Sequence, residues 1–223
     1  MPMYDEGAVQ KRFIKVASSA TFRTIVREYG LNKKSVLDIG CSYGEHLAHF
    51  GEGSIGLTIT ESEVAFGKEK GMDIRYGNIE SSDFVLDEKF DAIFANNIFE
   101  HLFSPHYFLY RARKLLKDGG LLVLGVPCVP IIAPLMRFKK WRGALSRPHI
   151  NFWTGGTLKR AVERGGFQVR VTRGFHFRNR FFDVLFHPVY PHFYIVAAPI
   201  PNFQYPEARM EKLLAGMSIT LNK

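Results

Sequence analysis

Apolar residues recur at helical spacing near the start of the chain. Val9, Phe13, Val16, Ala17, Ala20 and Ile25 predict one amphipathic helix over residues 6–29, stopped by Gly30. Strand-like and helix-like stretches then alternate. Strands are expected over 35–39, 54–59, 73–76, 90–95 and 121–126, and helices over 44–50, 61–70 and 105–117. Pro105 sits in a first turn, where a missing N–H costs nothing, and Asp118-Gly119-Gly120 reads as the stop of that helix. The run 121–126 is unbroken by polar residues, as expected of a strand covered on both faces. Prolines 127, 130 and 134 interrupt the pattern. A helix over 157–164 ends at Gly165-Gly166, strands follow over 167–171 and 193–198, and 206–214 reads as a short terminal helix.

This alternation predicts an α/β fold, a doubly wound parallel sheet with helices on both faces. Ligands in such folds bind beyond the carboxyl ends of the strands. The loops 40–44, 58–61, 77–79 and 96–101 all follow strands and are expected on one edge. The expected organisation is an N-terminal helical segment, 1–30, covering the site, and a domain over 31–223 with a basic segment at about 127–150.

Composition narrows the class. A chain of 223 residues with 46% apolar content and mean hydropathy near zero suits one globular domain with a sizeable core. No apolar run is long enough to span a bilayer, and residues 1–6 lack the apolar core of an export signal, so cytoplasmic residence is the expectation. Two cysteines, Cys41 and Cys128, are too few for a disulfide framework and read as small buried thiols. The net charge of +9 is uneven: residues 119–182 carry 12 lysines and arginines against the single acid Glu163. This asymmetry fits either an anionic partner or a solvated basic surface.

The most telling stretch is Val36-Leu37-Asp38-Ile39-Gly40-Cys41-Ser42-Tyr43-Gly44-Glu45. An apolar strand ends in an acid and a glycine turn, where backbone can approach a ligand. The stretch resembles the first motif of the class I S-adenosylmethionine (SAM)-dependent methyltransferases, with Asp38, Gly40 and Gly44 on its acid, first-glycine and last-glycine positions. Ser42 replaces the middle glycine. Phe90-Asp91, the loop ending Glu100-His101-Leu102, the Asp118-Gly119-Gly120 turn, and His149-Ile150-Asn151-Phe152-Trp153-Thr154 before a helix ending Gly165-Gly166-Phe167 continue the resemblance. It covers roughly residues 33–175 and is nearest the small-molecule, ubiquinone/menaquinone type. It implies a Rossmann-like doubly wound sheet, mostly parallel with a late antiparallel strand, and SAM as cofactor.

The resemblance implies a donor site of Asp38, Gly40, Cys41, Gly44, Thr58, Glu61, Asn78, Ile79 and Asn96. Thr58 stands where the second strand normally ends in an acid that pairs with the ribose; Glu61 can substitute, or Thr58 is an ordinary strand-end residue. The string Gly56-Leu57-Thr58-Ile59-Thr60 is similar to that of cyclopropane-fatty-acid synthases and phosphoethanolamine methyltransferases, which hints at lipid-related acceptors. Asn78 can meet the adenine amino group with Ile79 on the ring, or the segment is a plain turn. A dinucleotide fingerprint fails, because Gly40 and Gly44 are spaced differently and no acid ends the second strand.

A sulfonium is an activated methyl donor, so positioning dominates and a base is needed only for a poorly acidic hydroxyl or a protonated amine. His101 and His149 are the candidate catalytic residues; each has the alternative of ordering its loop. His46 and His49 share a metal-like spacing without a partnering cluster, so no metal is expected. Cys128 resembles the nucleophile of RNA 5-methylcytosine enzymes, but the fourth strand lacks their Pro-Cys. The same loop lacks an Asn/Asp-Pro-Pro-aromatic motif, which argues against methylation of adenine N6 or glutamine.

The segment Arg137-Phe138-Lys139-Lys140-Trp141-Arg142 can bind an anion on a small acceptor, rest on the anionic inner face of a membrane or track nucleic acid; the last is the weakest, with no RNA-binding module beside it. The expected activity is methyl transfer to a small or lipid-linked, anionic acceptor, oxygen favoured. The rival is a catalytically silent SAM-fold protein that binds an anionic partner through its basic face. The oligomeric state is not legible.

Overall fold

In the computed structural model, residues 4–130, 132–175, 180–185 and 190–206 are described; the helix expected over 206–214 lies outside them. Seven strands form one sheet: β1 (Val36–Ile39), β2 (Ile55–Thr58), β3 (Ile74–Tyr76), β4 (Phe90–Asn96), β5 (Leu116–Pro127), β6 (Phe167–Arg173) and β7 (His192–Pro199). Their order is β3-β2-β1-β4-β5-β7-β6. The first five are parallel, and β7 runs antiparallel to both its neighbours.

Side chains of a strand alternate between faces, and this sheet uses both. Leu37, Ile39, Ile93, Ala95, Leu122 and Leu124 enter one core with Phe108, Leu109, Leu158 and Val162. Val36, Ala92, Phe94, Val123 and Val196 enter the other with Phe22 and Ile25. The first core thus takes helices α4 (Pro105–Leu115) and α6 (Gly155–Arg164), and the second takes α2 (Ala20–Tyr29). Thr154 caps α6 by accepting from Thr157 N in a reciprocal capping box, which starts that helix two residues before the expected position. No helix among the described residues is long and apolar enough to cross a membrane.

Three local expectations are corrected. The helix expected over 6–29 is two, α1 (Glu6–Ser18) and α2. Ser19 takes an extended conformation and its side chain accepts from Phe22 N, so a serine that favours capping over a helix interior divides the apolar stripe. Residues 44–50 form turns and a single 3-10 turn, Leu47–His49, in place of a full helix. Asp118-Gly119-Gly120 does not follow a helix: α4 ends at Leu115 and β5 begins at Leu116. Between Leu116, opposite Phe90, and Leu121, opposite Ala92, the register shifts, and Gly119 at φ 74° supplies the left-handed residue the bulge needs.

Three further helices complete the described chain: α3 (Glu61–Glu69), α5 (Lys139–Arg142) and α7 (Arg180–Leu185). The basic segment is short turns, Ala133–Arg137, α5 and Gly143–Leu145, after the carboxyl end of β5.

Candidate active site

The four expected loops meet through specific contacts. Gly40 N and Cys41 N both donate to Leu57 O, at 2.8 and 3.0 Å, which folds the first loop over β2. Gly40 (φ 74°), Ser42 (φ 52°) and Gly44 (φ 86°) all take the left-handed region. Ser42 therefore holds the backbone shape that glycine adopts freely. A Cβ built on Gly40 would stand 2.1 Å from Ile98 Cδ1, so the loop after β4 seats directly on the glycine turn. Gly77 N donates to Thr58 O. The Glu80 carboxylate accepts from Phe103 N and Ser104 N, at 3.1 and 2.6 Å, tying the loop after β3 to the start of α4.

Asp38 ends β1 almost fully buried, and its Oδ2 has no hydrogen-bond partner. Burial, then the nearby Glu45 carboxylate, push its carboxyl well above the usual range, against one backbone N–H from Leu47. Glu45 is itself buried, meets Arg12 of α1 at 3.1 Å and keeps one oxygen unpartnered. Two buried acids with unfilled acceptor capacity form a place that favours a cation. Cys41, beside them, is a buried thiol whose pKa is raised, chiefly by burial, so it is not poised as a nucleophile.

At the end of β2, Thr58 is buried and its hydroxyl donates to Glu63 Oε2, while Ser42 Oγ donates to Glu63 Oε1 at 3.0 Å. Glu61 is exposed. The acid that joins Thr58 is thus Glu63, which the sequence reading missed. Its signal is positional: in α3, Glu63 is the third residue and faces back toward the strand end. Asn78 Oδ1 accepts from Glu80 N in a side-chain turn, and Ile79 is buried in the first core. Asn96 ends β4 with its Oδ1 buried and unpartnered. It lines a cavity of about 400 Å³, together with Arg12, Val16, Phe22, Glu45 and His192. Helices α1 and α2 supply much of that lining, so the N-terminal segment stands beside the loops.

The loop after β4 meets the segment after the basic turns. Ile150 N and Asn151 N donate to Glu100 O, at 3.1 and 3.0 Å, and Asn151 Nδ2 donates to Leu102 O at 2.6 Å. This brings His101 and His149 together with rings 4.8 Å apart, edge to face. Each places Nδ1 3.0 Å from a carbonyl, Pro148 O for His101 and Ala144 O for His149. A carbonyl only accepts, so Nδ1 carries hydrogen and Nε2 is the basic atom of each neutral ring. Both Nε2 atoms lie 3.9 Å from Glu100 Oε1. Burial pushes the Glu100 carboxyl up to about 7. The residues Glu100, His101 and His149 were legible singly; their meeting was not.

His46 and His49 pack edge-on against Phe22, at 4.9 and 5.5 Å, and burial holds His46 down at about 4. Cys128 is fully buried with its thiol pushed up to about 12 by burial. Beyond it, Phe138, Leu145, Ile150 and Phe152 are exposed apolar side chains among exposed Arg137, Lys139, Arg142 and Arg147.

Comparison with known proteins agrees with this geometry. The methyltransferase domain family model matches residues 10–171. A ubiquinone biosynthesis O-methyltransferase of Bradyrhizobium diazoefficiens is 30% identical over 133 residues, 55% of this chain and 52% of that protein. The protein of the same name from Histophilus somni is 36% identical over 106 residues, 42% of this chain and 44% of its own. The chain spans about half the length of these relatives or less. Among solved structures, a SAM-dependent methyltransferase from Mesorhizobium loti superposes with a TM-score of 0.61 at 14% identity, covering 82% of this chain and 99% of that one. One from Archaeoglobus fulgidus gives 0.60 at 21% identity, covering 86% and 99%; both likenesses speak to the fold. The motif-bearing loops and the family match over most of the chain make the conclusion plain: this chain belongs to the methyltransferase domain family.

Proposed function

We propose that this chain is a SAM-dependent methyltransferase acting on a hydroxyl oxygen of a small or lipid-linked anionic acceptor, reached at the inner surface of a membrane. The observation that carries this reading is the Glu100–His101–His149 cluster. Its Glu100 and His101 stand on the same loop as Ile98, which abuts the glycine turn. An acceptor hydroxyl needs a group to take its proton, whereas the donor's leaving group needs none. Relatives named as ubiquinone biosynthesis O-methyltransferases support oxygen as the target.

The fit to SAM rests on unfilled buried acceptors. Asp38 Oδ2 and Asn96 Oδ1 are buried without partners, and Asp38 with Glu45 suits the cationic amino-acid end of such a donor. In this reading Gly40, Cys41 and Gly44 give the turn, Thr58 and Glu63 face the ribose hydroxyls, and Asn78 and Ile79 stand at the base. SAM, when bound, supplies a methyl group already activated by positive sulfur. The chain's own task is to hold the acceptor in line, exclude water and receive a proton at His101 Nε2 or His149 Nε2. The exposed cations of 137–147 hold the acceptor's anion, and Phe138, Leu145, Ile150 and Phe152 enter the headgroup layer.

Turnover to S-adenosylhomocysteine tests this directly. Matched hydroxyl and amine acceptors, with and without an anionic group, are presented in solution or in vesicles with and without phosphatidylserine. Hydroxyl acceptors bearing the anion should turn over fastest, and phosphatidylserine should raise the rate for lipid-linked ones. Turnover confined to amines, or no calorimetric SAM binding at millimolar donor, overturns the reading.

A narrower result separates the two acids near Thr58. A hydrogen bond to a charged group contributes about 1.5–3 kcal/mol, so Glu63→Ala should weaken SAM binding roughly 10- to 100-fold. Glu61→Ala should leave it within about twofold, the scale of a peripheral surface change. Calorimetry decides; equal losses in both variants would remove Glu63 from the donor site.

A further inference from the structure

We propose that Glu100, His101 and His149 form a binding site for one divalent transition-metal ion of the zinc class. One ligand atom from each of the three residues lies within 4.8 Å of the other two. Glu100 Oε1 is 3.9 Å from each imidazole Nε2. A tetrahedral site with bonds of about 2.0–2.1 Å has ligand atoms about 3.3 Å apart. Each carboxylate edge must therefore shorten by roughly half an ångström, and the widest separation, which lies within 4.8 Å, by up to about 1.5 Å, a side-chain adjustment of both rings.

Two independent features point to a cation rather than a chance cluster. The first is the unsatisfied carboxylate. Glu100 is 1% exposed and neither of its oxygens has a hydrogen-bond partner. A buried carboxylate without donors is costly, and a metal ion is a partner that would satisfy it and use both neighbouring Nε2 atoms. The second is the orientation of the rings. Each Nδ1 is fixed to a backbone carbonyl, the outer contact that sets a ligating histidine's tautomer and aim. The two segments are then locked to each other by the bonds of residues 150 and 151 to Glu100 O, so the ligand set is held by the fold.

The chemistry of the set selects the ion. Two imidazoles and one carboxylate suit zinc, cobalt or iron(II) better than magnesium or calcium, which prefer all-oxygen shells. Three protein ligands leave a position open, the arrangement of a catalytic rather than a structural site. The His101 side chain is 36% exposed, so the open position has a route to solvent. The catalytic meaning of the site rests on the proposed hydroxyl acceptor: an ion here would lower the pKa of a hydroxyl it touches and carry the role assigned above to free imidazole. The metal site itself does not depend on that reaction.

The test uses full-length protein stripped with chelator. Titration with Co2+ should produce visible ligand-field absorption that saturates at one equivalent, and Zn2+ should displace it. His149→Ala, and separately His101→Ala, should weaken Co2+ binding by more than tenfold. Glu100→Gln should do the same while keeping the side chain's shape. His101 is half-exposed, so its variant is the safeguard if a buried substitution fails to fold. SAM calorimetry on the same samples reads the donor site separately. Metal binding without SAM binding would sink the donor reading and keep the metal site. No saturable absorption, or absorption unchanged in the His101→Ala/His149→Ala double variant, overturns the metal site and leaves a proton-sharing cluster.

Discussion

Replacing Gly40 with valine should remove SAM binding, with a loss of more than 100-fold by calorimetry. Two costs coincide at this position. Gly40 lies at φ 74°, a region that costs an L-residue about 1–2 kcal/mol and is a true outlier for a β-branched one. A new Cβ would also stand 2.1 Å from Ile98 Cδ1 and 2.4 Å from its Cγ1, so Ile98 and its loop must move. Overpacking of that kind costs about 1–3 kcal/mol. Both strains fall on the turn whose shape presents backbone to the donor, and a loss of about 2.7 kcal/mol is already 100-fold. The companion variant Gly40→Val/Ile98→Ala separates them. Removing Ile98's branches relieves the clash, so the thermal midpoint should recover in part. The φ strain persists, so SAM affinity should not. Unchanged affinity in Gly40→Val would show that the donor does not meet this loop.

The same turn shows how far sequence carries. Positive φ at Gly40 and Gly44, and the buried strands on either side, are written locally: apolar runs, an acid and glycines in order. The parallel sheet follows because β1, β2, β4 and β5 are each covered on both faces, and near-continuous apolar runs register that directly. The errors arise where tertiary packing decides among local options. Residues 44–50 carry a helical pattern, but Leu47 and Cys41 bury against Ile74 while Phe22 packs against His46 and His49. The chain there is held in turns. Asp118-Gly119-Gly120 is a turn signal, but it stops no helix: pairing with β4 absorbs it as a bulge within β5.

The site was legible residue by residue and illegible as an assembly. Thr58 is visibly not an acid, yet nothing local says that Glu63 reaches both it and Ser42. Glu61 was chosen as the nearest acid in sequence; helix geometry turns the third residue of α3 toward the strand instead. His101 and His149 each stood out, but their common orientation on Glu100 depends on hydrogen bonds between segments 49 to 51 residues apart. Spacing rules for metal ligands single out only His46 and His49, and set that pair aside for want of a partnering cluster, because those rules count along the chain.

Arg173→Met should lower stability by about 3–5 kcal/mol, the cost of breaking a buried ion pair by removing one member. For a chain of this size that is a fall in thermal midpoint of roughly 10 °C. Arg173, on β6, is 4% exposed and Asp183, on α7, is fully buried. Their side chains meet at 3.1 Å between Nε and Oδ2, and Tyr190 donates to the other Asp183 oxygen at 3.1 Å. Arg173 also donates to Glu28 of α2 at 3.0 Å and stacks its guanidinium 3.9 Å over the Phe175 ring. The Glu28 contact is partly exposed and contributes little by itself. The large term is Asp183, which in the variant loses the Arg173 guanidinium while Tyr190 still donates to it. The double variant Arg173→Met/Asp183→Leu should return close to the parent, since replacing a buried pair with apolar side chains is often neutral or stabilising. Denaturant titration of the three proteins decides. A single-variant loss below 1 kcal/mol, or a double variant no better than the single, would show that the pair is not what holds α7 to β6. Because α2 carries Phe22, which lines the cavity beside the loops, the two substitutions should differ in kind. Arg173→Met should lower the midpoint and keep SAM affinity in the folded protein, whereas Gly40→Val should abolish affinity even in protein that remains folded.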